Sequence, residues 1–253
     1  MYDPSHNDYP KYPNCEYQRD ESDKLMNAMI CAACGIIYNR WRPESQIVES
    51  DIDEVEELQT MSLYESLKDC FLSVPHQVDS MVFKGRVFAY LVIIIWGCYF
   101  MLGGIDWQNI GSSFLHNVNL AFHEFGHVLF MPFGDFWMIL GGSLFQVLLP
   151  LIVMLAFSIQ QRDNFGAAIM LWWCGQSFID VSPYIADAQS RSLQLISGLG
   201  KESHDWGNLL GMTNNLHNTD FIAQSSFTIG CCIMLLSFIW AGALLLKQKR
   251  VLS

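Results

Sequence analysis

The segment His123-Glu124-Phe125-Gly126-His127 carries the residue types and the spacing that chemistry needs. On an α-helix, residues i and i+4 stand one above the other on one face, so His123 and His127 can present both imidazoles to a single ion. Zinc accepts neutral imidazole nitrogen readily and, in catalytic sites, takes three protein ligands and one water. Glu124 follows the first imidazole directly, close to where that water would sit. Zinc brings the acidity of bound water toward neutrality, and a carboxylate can take the released proton. The expected chemistry is attack of activated water on a peptide carbonyl, with one Zn2+ per chain and Glu124 as general base. Gly126 puts no side chain on its face, which suits the close approach of a neighbouring helix or of substrate backbone.

The third ligand must come from elsewhere in the chain. Asp180 and Asp187 lie in and just after a later apolar run, and His204-Asp205-Trp206 lie in the loop beyond. Pro183 frees a backbone carbonyl and permits local unwinding, which favours Asp187. Depth favours Asp180, which lies seven residues before the end of its run, as His127 does before Gly134. His204 is read either as a ligand or as a donor to the oxyanion of a tetrahedral intermediate. Asp205 and Gln146 are candidates for oxyanion or substrate contact. His116 precedes His123 by seven residues, near the same side of a helix, and is a candidate for pocket lining or for packing.

These residues resemble the membrane-embedded site-2-type zinc metalloproteases. That family pairs a span bearing HExxH with a later span in which an Asn and a proline precede a liganding Asp. The segment Asp180-Val-Ser-Pro183-Tyr-Ile-Ala-Asp187-Ala188 is similar, with Pro183 and Asp187 nearly in register. The stretch Gly141-Gly142-Ser143-Leu144-Phe145-Gln146 resembles the intervening Gly-Pro-x-x-Asn segment, with Gln146 in the Asn seat. Ala188 stands where the family has Gly, and Asp180 sits one residue from the family's Asn. The resemblance covers roughly residues 110–190 and implies an intramembrane endopeptidase with His123, His127 and Asp187 as ligands. The order of candidates for the third ligand is Asp187, then His204, then Asp180. The resemblance also implies substrates that are protein or peptide, extended or helix-broken near the membrane boundary.

The elements that must position these groups are apolar. Residues 87–105, 136–161, 164–179 and 221–246 contain no charged side chain, and the third run continues apolar past Asp180 to residue 186. Residues 110–133 are apolar apart from His116, His123, Glu124 and His127. A bilayer span needs about 20 predominantly apolar residues. The reading is an all-α polytopic membrane protein with about five transmembrane helices over 81–253. Gly134-Asp135 is too short a link for anything but an antiparallel return. Ionisable groups inside such segments are costly, so a His–Glu–His set there points to function, with interhelical hydrogen bonding as the plainer alternative. Lys84 and Arg86 flank the first run and Lys247, Lys249 and Arg250 follow the last, so five spans cannot satisfy the positive-inside rule at both ends.

Residues 1–80 differ in kind. They hold 16 of the 25 acidic residues and 6 of the 14 basic ones, so nearly all of the net charge of −11 belongs to them. They read as an acidic aqueous extension: a disordered leader to residue 24 with no signal-peptide core, a short apolar helix over 25–38, and an amphipathic helix over 44–70. The acidic balance excludes nucleic acid as a partner. Eight cysteines are scattered without a disulfide pattern. Cys31 and Cys34 form one CxxC, with Cys15 upstream. Metal binding or redox chemistry is open to them, and so is a bland role as small apolar residues.

Two other functions fit the composition. A metal-ion transporter would show ligands on several spans, but 87–105, 136–161 and 221–246 contain no His, Asp or Glu. A non-catalytic metal-binding membrane scaffold would tolerate loss of the Glu124 carboxylate.

Overall fold

The computed structural model describes residues 63–193 and 200–252, together with positions 15, 17, 31, 33 and 34. The chain divides into two compact units, Met1–Tyr64 and Glu65–Ser253. The polar leader and the apolar helix expected over 25–38 lie outside the described residues, except for those five positions. The amphipathic helix expected over 44–70 is described from residue 63, and there it is helical as far as residue 72.

The second unit begins earlier than the change in composition near residue 80, because the chain before that point is tied to the helices that follow. Trp240 Nε1 donates to Phe71 O (2.8 Å), Lys247 Nζ to Leu72 O (3.1 Å) and Asn164 Nδ2 to Ser73 O (3.1 Å). Asp79 caps the first long helix, accepting from the amides of Met81 and Val82.

The fold is all-α. Among the described residues the only extended pairing is an isolated bridge between Val78 and Leu252. Among the described residues seven α-helices follow residue 79: α1 (Ser80–Gly103), α2 (Trp107–Gly111), α3 (Phe114–Phe130), α4 (Asp135–Ile159), α5 (Asn164–Ala186), α6 (Asp205–Met212) and α7 (Thr219–Lys249). Five of these seven starts carry a side-chain cap, Asp79 for α1 among them. Asp106, Ser113, Asp163 and His204 all accept backbone amides of the first turn with their side chains. Between α3 and α4 a single 3-10 turn ends at Gly134, whose φ of 95° reverses the chain at a conformation glycine adopts without strain.

α5 is the central helix, with 15 of its 23 residues buried, and it packs on α7, α4 and α1. Ile93, Phe100, Ile110, Trp172, Ile179 and Met234 form the main core. Gly175 and Gly230 face each other across α5 and α7, where an added methyl on either would meet the other's carbonyl oxygen at 2.8 or 2.6 Å. Backbones that close are how helices associate where lipid offers no hydrophobic drive.

The outer faces are apolar. Phe88, Ile95 and Leu102 on α1, Ile152 and Ile159 on α4, and Phe221, Leu236 and Ile239 on α7 are all exposed. α1, α4 and the stretch Leu216–Lys249 are long and apolar enough to cross a membrane. Among the described residues these are the three that meet both criteria, where the sequence led us to expect about five spans. α3, with 17 residues, extends about 26 Å, short of the ~30 Å hydrocarbon core. α5 is long enough, but Asn164, Gln176, Ser177 and Asp180 dilute its apolarity, and all four are buried inside the bundle.

Candidate metal centre

His123 and His127 lie on α3 with ring centroids 4.8 Å apart. Asp205, the first residue of α6, completes a group. Its Oδ2 lies 3.0 Å from His123 Nε2 and 3.3 Å from His127 Nε2. The ligating atoms of the three residues all fall within 4.8 Å of one another. This is the donor set of an open zinc site: two imidazole nitrogens and one carboxylate oxygen.

The hydrogen bonds on the far sides of the rings settle which nitrogens face inward. His127 Nδ1 lies 2.8 Å from the carbonyl oxygen of Met138, which can only accept, so Nδ1 carries a hydrogen and Nε2 is the atom turned toward Asp205. His123 Nδ1 lies 3.3 Å from Gln146 Oε1, while Gln146 Nε2 donates to Asp180 Oδ2 at 2.8 Å. With its Nε2 donating to Asp180, the Gln146 amide turns Oε1 toward His123. The Nε2 atoms of both rings therefore face one carboxylate oxygen, at 3.0 and 3.3 Å, where either a ring hydrogen or a metal ion can bridge the pair. Burial pushes the Asp205 carboxyl up, but the hydrogen bonds to His123 and His127 outweigh burial and hold it at about 2, so it stays ionised.

The packing leaves room for this group because α4 presents glycine to it. A methyl added to Gly142 would meet His123 Nε2 at 2.6 Å and His127 Nε2 at 2.7 Å. One residue earlier, Gly141 meets α3 through the Gly126 carbonyl oxygen, at 2.8 Å from an added methyl. Gly126 serves helix packing here, one of the two roles its sequence position suggested.

α6 is held by both neighbours. Tyr184 Oη, on α5, accepts the Asp205 backbone N–H at 2.9 Å, and Trp206 Nε1 donates to Ser143 Oγ on α4 at 3.0 Å. Glu124 is exposed on α3 and lines, with His123, His127, Asp205, Tyr184 and His116, a cavity of ≈ 720 Å³. A volume of that size admits several residues of extended peptide.

Asp187 does not join this group. Its Oδ1 accepts from Ser192 N (3.0 Å), Ser192 Oγ (2.6 Å) and Ser190 Oγ, and its Oδ2 from Leu193 N (2.8 Å) and His204 Nε2 (3.3 Å). Burial works against its charge, but these hydroxyl and amide donors prevail and hold the carboxyl at about 2. The unwinding expected at Pro183 is absent. α5 continues to Ala186, and the carbonyl of Ile179 that the proline leaves without an amide is taken by Ser182 Oγ at 2.7 Å. The carboxylate thus points into the turn beyond the helix end.

His204 is 1 % exposed, accepts the Gly207 amide at Nδ1 (3.0 Å) and faces Asp187 at Nε2. Burial lowers its pKa, against the pull of Asp187, and both ring nitrogens are committed to the fold. It neither joins the ligand group nor points a donor into the cavity. Asp180 sits behind the site and binds His116 Nδ1 at 3.0 Å as well as Gln146. Gln146 orients His123. Met138, Ser143, Tyr184 and Trp206 all take part; Met138 lay in no motif, and the other three fell inside quoted stretches without a role of their own. A donor or acceptor that works only through folded proximity has no sequence spacing to betray it. No family model, no curated protein and no solved structure matches this chain.

Proposed function

We propose that the chain is a membrane-embedded, zinc-dependent endopeptidase of the general kind its HExxH segment resembles, acting on protein or peptide substrates at or near the bilayer. The observation that carries this reading is the convergence of His123 Nε2, His127 Nε2 and Asp205 Oδ2, with Glu124 in the wall of the same cavity. The third ligand in this reading is Asp205, not Asp187. The span count and the multi-pass topology belong to the same proposal. They rest on three long apolar helices and the apolar outer faces.

Zinc, when bound, supplies the Lewis acidity that makes water a nucleophile at neutral pH. The protein's own residues do the rest. His123, His127 and Asp205 hold the ion. Met138 O and the Gln146–Asp180 pair keep both rings in the tautomer that binds it. Glu124 accepts the proton of the attacking water and returns it to the leaving amine. Tyr184 Oη takes the Asp205 amide hydrogen and so keeps its own hydrogen to donate toward the developing oxyanion, the role the sequence had offered to His204.

Purified in detergent without chelator, the protein is expected to cleave an unstructured, membrane-tethered peptide. Glu124→Gln should retain zinc and lose on the order of 10²–10⁴ of the rate. Unchanged cleavage by Glu124→Gln would overturn the mechanism, and wild-type protein without zinc at the His123 site would overturn the reading as a whole.

A further inference from the structure

The first unit contains a second convergence of metal-binding atoms. The Sγ atoms of Cys15, Cys31 and Cys34 all lie within 4.8 Å of one another, and Cys15 Sγ is 3.5 Å from Cys31 Sγ. Tetrahedral zinc with Zn–S bonds of about 2.3 Å sets its sulfur ligands about 3.8 Å apart, whereas a disulfide brings two sulfurs to about 2 Å. The observed spacing suits the ion. The number of thiols does too, since a disulfide joins two sulfurs and leaves the third beside it without purpose.

The two halves of the group have different surroundings. Cys31 is 2 % exposed, and the backbone amides of Cys34 and Ala33, in the turn that follows, donate to its sulfur. Cys15 and Cys34 are exposed and close on Cys31 from outside. One sulfur is pre-positioned by backbone, and two approach it from separate parts of the sequence, sixteen residues apart at the Cys15–Cys31 link.

We propose that Cys15, Cys31 and Cys34 bind a structural Zn2+ that cross-links the first unit, with the fourth position taken by water or a further donor. Binding replaces three thiol protons with one cation, and no oxidation or reduction takes place. Soft thiolates select zinc over magnesium and calcium, and the free energy of such binding adds to the folding free energy of the segment that it cross-links. This site is separate from the His123 group and stands whether or not that group is catalytic.

The test uses full-length protein in detergent, prepared under mild reductant without chelator. Zinc per chain is expected near two in wild type, near one in His123→Ala, and near one in Cys31→Ser. If the His123 site binds nothing, wild type should hold one zinc that His123→Ala keeps and Cys31→Ser loses, so failure of either site is distinguishable. Replacement by Co2+ provides a readout independent of mutation. A near-ultraviolet sulfur-to-cobalt charge-transfer band should appear in wild type and in His123→Ala, because the His123 group contains no thiolate. Absence of that band, zinc content insensitive to Cys31→Ser, or a Cys15–Cys31 disulfide persisting under the mild reductant would each overturn the proposal.

Discussion

Asp187 and Asp205 are both carboxylates held at about 2, and both lie at helix ends beside the same buried cluster, yet they differ in what surrounds them. Asp187 is saturated. Hydroxyls and amides from its own turn fill its lone pairs, and its charge is already solvated by the fold. Asp205 faces two imidazole nitrogens on a neighbouring helix, and a cavity wall rather than its own turn. A depressed carboxylate pKa is common to an anchor and to a candidate ligand. What separates them is the partners: hydroxyls and amides that have no other use complete a turn, whereas imidazoles converging on one oxygen are groups that a metal ion can share.

The comparison breaks most sharply under Asp205→Ala. That variant should lose activity and weaken zinc binding at the His123 site by at least ~100-fold, whereas Asp187→Ala should leave zinc bound there. Equal zinc loss in the two variants would end the distinction. Zinc titration followed by mass spectrometry under non-denaturing conditions measures both. Next in size is the effect on the ring tethers. Gln146→Leu removes the acceptor that fixes His123 and should cost 10–100-fold in metal affinity without changing the number of sites. An affinity unchanged within about twofold would show that His123 needs no orienting partner.

The smallest effect belongs to Asp187. Its folded-state pKa lies below the ordinary carboxylate value, so it contributes stability that is complete above pH ~4 and lost as pH falls toward ~2. Asp187→Asn should remove part of that acid dependence and lower stability by about 1–3 kcal/mol at neutral pH. Thermal unfolding in detergent across that pH range is the measurement, and an unchanged acid profile would mean that the turn is not anchored by this charge.

How much of this was visible beforehand differs from residue to residue. His123, Glu124 and His127 were legible because helical geometry alone brings i and i+4 together, and α3 is a helix over all of them. The long apolar runs were legible as helices for the same reason of period and length. Asp205 was named among the loop candidates for the third ligand but left out of their order. Its place depends on Tyr184 and on the Trp206–Ser143 bond, which bring α6 back onto α4 and α5 from a distant point in the sequence. The proline argument favoured Asp187 because a freed carbonyl usually loosens a helix. Here Ser182 repairs the gap locally, a compensation that a reading of proline alone does not include. Depth led to Asp180 and found a residue of the site, though one step behind the ligands.

In the proposed site two ligands stand on α3, and the third stands on the eight-residue α6, which is held by Trp206 and Tyr184, by its His204 cap bound to Asp187 and by buried Leu209 and Leu210. On that proposal, release of the ion and loosening of the first turn of α6 are one event seen by two observers. In hydrogen-exchange terms, the amides of residues 209–212 should open more rarely in the metal-loaded chain by the same factor that sets occupancy, while amides in the middle of α5 keep their own slower clock. The lifetime of the bound ion is then written in the fraying of one short helix.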